Sequence, residues 1–70
     1  MTNTELLERA IAESGYKKSY IAKVIGVGPE TLGRKIRNNS EFTASEITAL
    51  CELLGITSLK EKEAIFFATK

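Results

Sequence analysis

Apolar residues recur every three or four positions along most of the chain, which is the spacing of one face of an α-helix. No stretch alternates apolar and polar residues with the period of two that a strand shows. The pattern predicts an all-α fold, a compact bundle of five short helices in a single domain spanning residues 1–70. The apolar stripes are Leu6, Leu7, Ala10 and Ile11; Ile21, Val24 and Ile25; Leu32 and Ile36; Ile47, Leu50, Cys51 and Leu54, joined by Leu53; and Leu59, Ala64, Ile65, Phe66, Phe67 and Ala68.

Polar residues and glycines mark the ends of these helices. A serine or threonine followed three residues later by glutamate is the spacing of a capping box, in which two side chains satisfy two free backbone N–H groups. The first helix is predicted to begin between Thr2 and Thr4, either of which could cap it. Glycines accept the left-handed conformation that ends a helix. The three boxes are Thr2–Glu5, Thr43–Glu46 and Ser58–Glu61, and the stops are Gly15, Gly26 and Gly55.

Residues 17–39 contain the second and third helices, joined by a tight turn. Gly26 ends the first of the two, and Pro29 suits the first position of the next because its missing N–H has no helical partner there. Leu32 and Ile36, four residues apart, are predicted to hold the third helix to the body. The pattern is typical of a helix-turn-helix, whose second helix enters the major groove of DNA. The residues left on the outer faces of the third helix are Glu30, Thr31, Gly33, Arg34, Lys35 and Arg37.

Charge is distributed unevenly along the chain. Ten basic and nine acidic residues give a net charge of only +1. Residues 17–39, however, carry six basic residues against the single Glu30. Such clustering is the electrostatic footprint expected for a phosphate backbone, and the alternative is a merely solvated basic face. The six are Lys17, Lys18, Lys23, Arg34, Lys35 and Arg37.

The composition argues against an enzyme, a metal site or a cofactor. The chain has no histidine and one cysteine, Cys51, which lies within an apolar stripe and is predicted to be a small core residue. Gly26 and Gly28 follow a helix rather than a strand, so we interpret them as a turn and not as a nucleotide-binding loop. No apolar run approaches the roughly 20 residues that span a bilayer. The polar, acidic N-terminus is unlike a signal peptide, so a cytoplasmic location without membrane contact is expected.

The segment Ile21–Gly28, with Leu32 and Ile36 after it, resembles the helix-turn-helix of lambda-repressor-like regulators. It has the small Ala22 inside the first helix, a glycine at the turn and spaced aliphatic residues in the second helix. The later segments 32–36, 40–43 and 51–56 are similar to those of small phage regulators of the Cro and repressor type. The resemblance covers nearly the whole chain. It implies a sequence-specific regulator that binds operator DNA as a dimer.

The resemblance also implies roles for individual residues. Pro29, Glu30 and Arg34 would lie nearest the base edges, with Thr31 beside them. Lys18 would hold a backbone phosphate at the start of the second helix. Gly33 would place no side chain in the reading surface. The full phosphate-binding set implied is Lys17, Lys18, Ser19, Lys35, Arg37, Asn38 and Asn39.

The end of the chain suggests a second function. Ile65, Phe66 and Phe67 are consecutive, and adjacent residues of a helix cannot all face one small core. Either one phenylalanine covers the core while the other is partly exposed, or the three form an association surface. That surface could join two copies of the chain. It could also bind a cognate repressor protein, in which case the chain would be a protein-interaction modulator rather than a DNA-binding regulator.

Overall fold

The computed structural model describes residues 1–69, and within that range it contains five α-helices and no strand. The predicted all-α bundle of five short helices is therefore confirmed. Among residues 1–69, no helix combines the length and the apolar character that crossing a bilayer requires. The helices are α1 (Thr4–Ser14), α2 (Lys18–Ile25), α3 (Pro29–Ile36), α4 (Ala44–Leu54) and α5 (Leu59–Phe66).

All five helices contribute to one apolar core, around which α2 packs on α3 and α4, and α1 packs on α5. The largest side chains that are fully enclosed are Leu7, Ile21, Leu32, Ile36 and Leu50. Truncating such a residue to alanine typically costs about 2–5 kcal/mol, so these residues dominate the stability of a small bundle. The other core members are Ile11, Ala22, Phe42, Ile47, Cys51, Ile56, Ile65 and Phe66.

The predicted stops at Gly15, Gly26 and Gly55 are confirmed. The predicted start signals are confirmed in full at α4, in part at α5, and not at α1. Thr43 and Glu46 form both hydrogen bonds of a capping box at the start of α4. Ser58 accepts from the Glu61 N–H at 3.3 Å, but the return bond of the predicted box is absent. The predicted Thr2–Glu5 box is wrong. Asn3 is the cap of α1, and its side-chain oxygen accepts from the Leu6 N–H at 3.0 Å.

The last helix settles the alternative left open by its apolar run. Ile65 and Phe66 are buried in the core, whereas Phe67 is 56% exposed. The ring of Phe66 meets that of Phe42 edge-on, with centroids 5.8 Å apart. Two of the three residues predicted to form an association surface are therefore core residues, because the final turn of α5 closes the bundle against the end of the α3–α4 connection. Of the two phenylalanines in this run, Phe67 is the one whose ring faces solvent.

The first residues of the chain are tied to the last described ones by backbone hydrogen bonds. The Asn3 N–H donates to the Ile65 carbonyl at 2.6 Å, and the Ala68 N–H donates to the Met1 carbonyl at 2.9 Å. These bonds fix the entry into α1 against the exit from α5. The exposed ring of Phe67 therefore projects from a segment that is anchored on both of its sides.

Candidate nucleic-acid interface

Helices α2 and α3 are joined by a turn of three residues. Gly26 adopts a left-handed conformation, with φ of 85°, and its N–H donates to the Ala22 carbonyl at 2.9 Å. Ala22 is fully buried and carries only a methyl group, which leaves room for α3 to cross close to α2. Gly28 is the N-terminal cap of α3, and Pro29 is its first residue, as predicted. The glycine turn and the start at Pro29 together direct the first turn of α3 away from the core.

The four residues predicted to lie nearest base edges are all exposed. Pro29, Glu30 and Thr31 form the first turn of α3, and Arg34 follows on the next turn. No side chain caps the first N–H groups of α3, because the cap is a glycine. The start of this helix is therefore open to a polar ligand. Glu30, Arg34 and Arg37 follow the i, i+4, i+7 spacing of one helix face, which lies opposite the buried Leu32 and Ile36.

The start of α2 is also open. Lys17 occupies the cap position and forms no side-chain capping hydrogen bond, and Lys17, Lys18 and Ser19 are all exposed. The Lys18 ammonium lies 2.9 Å from a carboxylate oxygen of Glu8. Both side chains of that pair are about half exposed, so the pair contributes little to stability and its lysine can exchange to another anion. This arrangement is compatible with phosphate binding.

Lys35 departs from the predicted phosphate-binding set. It is 9% exposed, and its ammonium donates to Glu46 Oε1 at 2.6 Å. The same ammonium lies 6.0 Å from the centre of the Phe42 ring. Lys35 therefore links the end of α3 to the start of α4 and is not available on the outer face. Its position three residues after Leu32 and one before Ile36 was a signal that it would lie toward the core.

Asn38 and Asn39 differ in what they can offer to DNA. The Asn38 side chain accepts from the Thr2 N–H at 2.8 Å and donates to the Thr2 carbonyl at 2.6 Å. Asn38 is also the one non-glycine residue with positive φ (67°) among the described residues, as asparagine tolerates. Its amide therefore holds the N-terminal segment to the end of α3. Asn39 is exposed, and within residues 1–69 its side chain forms no hydrogen bond.

Three tertiary contacts at the end of α3 have no counterpart in the sequence-based predictions. They are the Lys35–Glu46 ion pair, the Asn38–Thr2 pair of hydrogen bonds, and the bond from the Thr4 hydroxyl to the Ile36 carbonyl at 2.5 Å. All three hold the C-terminal end of α3 to other elements. They fix the direction of the helix while leaving its N-terminal end and outer face uncovered.

Neither metal nor thiol chemistry is indicated. Residues 1–69 contain no group of three or more metal-ligating side chains. Cys51 is buried, as predicted, and burial raises the pKa of its thiol, which favours the protonated form.

Comparison with protein families gives a match that covers the first three helices. Residues 3–38, which are 36 of the 70 residues and include all of α1, α2 and α3, match the helix-turn-helix family described as bacterial regulatory protein, Fis family. The predicted helix-turn-helix class is confirmed by this match, which does not single out the Cro and repressor type. Searches of curated proteins and of solved structures return no match.

Proposed function

We propose that this chain, which belongs to the Fis family of bacterial regulatory proteins, a family of DNA-binding transcription regulators with a helix-turn-helix, is a sequence-specific regulator. The resemblance of its sequence to small phage regulators supports the Cro and repressor type within that class. Helix α3 lies in the major groove of operator DNA. Arg34 reads base edges from the outer face, and Glu30 accepts a hydrogen bond from a cytosine amino group. Pro29 and Thr31 approach the bases beside them.

The observation that carries this proposal is the uncovered N-terminal half of α3. Its inner face is anchored by Leu32 and Ile36, and its C-terminal end is fixed by Lys35 and Asn38, yet Glu30 and Arg34 have no partner element over them. A helix supported in this way can enter a groove without unfolding any contact of the bundle. The backbone phosphates on either side are met by Lys17, Lys18 and Ser19 at the start of α2, and by Asn39 beyond α3.

Dimerisation completes the proposed mechanism. A recognition helix of eight residues reaches only a few base pairs, so two copies on a pseudo-palindromic site are needed for useful specificity. The exposed Phe67 is the proposed contact between copies. Occupation of the operator then blocks the promoter, and the mechanism involves no chemical step and no cofactor.

The test is a gel shift with the promoter region next to the gene, repeated over a range of salt concentrations. Each neutralised phosphate contributes a slope of about −0.9 to log K against log salt, so a dimer that neutralises roughly four phosphates through Lys17 and Lys18 is expected to show a slope of about −4. Lys17→Gln is expected to reduce the magnitude of the slope by roughly one for each copy. The matched control is Lys60→Gln, which removes an exposed lysine from α5 and is expected to leave the slope unchanged. A flat salt response would contradict the proposal.

The exposure of Phe67 also supports a second candidate, a modulator that binds a cognate repressor protein through this residue. The gel shift distinguishes the two candidates when it is run with and without the purified repressor. A DNA-binding regulator shifts the promoter by itself. A modulator shifts nothing alone and changes the band formed by the repressor.

A further inference from the structure

The guanidinium of Arg37 lies over Gly33 rather than extending beyond the end of α3. A Cβ atom placed on Gly33 would be 3.2 Å from Arg37 Nη1 and 3.9 Å from Cζ, closer to Nη1 than most side chains approach. Side chains of a helix lean toward its N-terminus, so a residue at i+4 naturally covers residue i. Because residue 33 has no side chain, the planar guanidinium rests against the helix backbone.

The backbone of α3 gives no reason for glycine at this position. Gly33 is not among the glycines with positive φ, so an alanine would fit the helix conformation. Glycine within a helix is less favourable than alanine by about 0.5–1 kcal/mol. What glycine provides here is space, and Arg37 occupies that space.

The result is a pair of arginines on the outer face of α3. Arg34 and Arg37 share that face with Glu30, and among residues 1–69 neither arginine has a carboxylate within the 4.0 Å of an ion pair. An arginine that extended past the end of α3 would be directed at the phosphate backbone. Folded back over Gly33, the Arg37 guanidinium points instead along the surface that the proposed function places in the major groove.

We infer that Arg37 is a second base-reading residue, and that it reads guanine from its position over Gly33. The O6 and N7 acceptors of guanine accept two hydrogen bonds from a guanidinium, which an ammonium cannot provide in the same planar geometry. This inference rests on the proposed function and adds to it. The recognised half-site is then expected to contain two guanines, one read by Arg34 and one by Arg37.

The experiment selects binding sites from a randomised duplex pool with the wild-type protein, and then measures affinities for each single-base variant of the selected half-site. Arg37→Lys, Arg37→Ala and Gly33→Ala are compared with wild type, and melting temperatures are recorded for all of them. Arg9→Ala, which removes an exposed arginine from α1, is the matched control. If wild type selects no sequence, the proposed function itself fails, and this is distinguishable from failure of the inference.

The expected result is loss of preference at one guanine, by about 5- to 150-fold, in both Arg37 variants, with preference at the Arg34-read position retained. Gly33→Ala is expected to weaken the same preference, because its methyl group would lie 3.2 Å from Arg37 Nη1 and shift the guanidinium by a few tenths of an ångström, while its melting temperature is equal to or above that of wild type. Uniform weakening of all sequences by Arg37→Ala, together with a salt slope smaller by about one per copy, would identify a phosphate contact and overturn the inference. Unchanged preference in Gly33→Ala would overturn it as well.

Discussion

One carboxylate oxygen, Glu46 Oε1, accepts two hydrogen bonds at the start of α4. One comes from the Lys35 ammonium at 2.6 Å, and the other from the Thr43 N–H at 3.0 Å. Burial by itself would raise the pKa of Glu46. The bonds from Lys35 and Thr43, together with the positive charge of Lys35, outweigh it and lower the pKa below its ordinary value. The folded state therefore favours the ionised carboxylate.

This shift predicts how stability depends on pH. A carboxyl group whose pKa is lower in the folded state binds more protons when the chain is unfolded. Its contribution to the free energy of unfolding is therefore complete above the unfolded pKa, about 4.3, and is lost as pH falls through the folded pKa. Melting temperatures of wild type and Glu46→Gln are expected to differ most near neutral pH. This difference in melting temperature should narrow as the pH falls below the ordinary pKa of a carboxyl group.

The comparison isolates Glu46, because the other eight acidic residues are the same in both proteins. Lys18→Met is a second control, since it breaks an ion pair of similar length whose side chains are about half exposed. That variant is expected to cost at most about 1 kcal/mol. A gap between wild type and Glu46→Gln that stayed constant from neutral to acidic pH would contradict the role given to this ion pair.

At the scale of the elements, the turn between α2 and α3 depends on the conformation of Gly26. Its φ of 85° is left-handed, and no atom lies within 4 Å of the position a Cβ would take. Gly26→Ala therefore meets no steric obstacle and suffers only backbone strain. We expect it to lower the free energy of unfolding by about 1–2 kcal/mol, measured by urea denaturation.

Gly33→Ala is the matched comparison, because the same methyl group is added to a glycine without positive φ. We expect it to be neutral or stabilising, by up to about 1 kcal/mol. Equal effects of the two substitutions would show that backbone conformation is not what Gly26 provides.

Signals that act over three or four residues were sufficient to predict the helices. The sequence predicts the Thr43–Glu46 box because both of its residues lie within one turn of helix. It predicts the stop at Gly26 and the start at Pro29 because each depends on the preferred conformation of a single residue. The cap of α1 could not be predicted in this way, since Thr2, Asn3 and Thr4 are all capping residues. The choice is decided by Asn38, which bonds both backbone groups of Thr2 from 36 positions away and leaves Asn3 at the cap.

The same distinction applies to the residues of the candidate site, some of which follow from short-range spacing and others from tertiary contacts. The exposure of Arg34 and the burial of Leu32 and Ile36 follow from helical spacing within α3. The burial of Lys35 depends on Glu46, which lies on another helix, and the position of Arg37 depends on a rotamer made possible by Gly33. The sequence predicted which segment forms the helix-turn-helix. Which cations are free on it could be determined only from tertiary contacts.

At the scale of the whole molecule, the terminal segments connect the proposed DNA-binding helix to the exposed end of the chain. Asn38 at the end of α3 is bonded to Thr2, and the neighbouring residues Met1 and Asn3 are bonded to Ala68 and Ile65. The exposed Phe67 lies within this closing segment. A contact made by Phe67 would therefore form on a surface that is rigidly tied to α3, as a dimer on two half-sites requires.

Phe66 and Phe67 are adjacent phenylalanines with different surroundings, and this gives a matched pair of substitutions. Phe66 is 3% exposed and packs against Phe42, whereas Phe67 is 56% exposed. Phe66→Ser is expected to destabilise the bundle by at least the roughly 3–5 kcal/mol typical of truncating a buried phenylalanine, with loss of helical circular dichroism. Phe67→Ser is expected to retain the helical signal and to weaken self-association in sedimentation experiments, since its ring is the apolar surface that a second copy would cover.

A Phe67→Ser protein that unfolds would show that the ring stabilises the bundle. A protein that remains folded and associates like wild type would place the contact between copies on another surface.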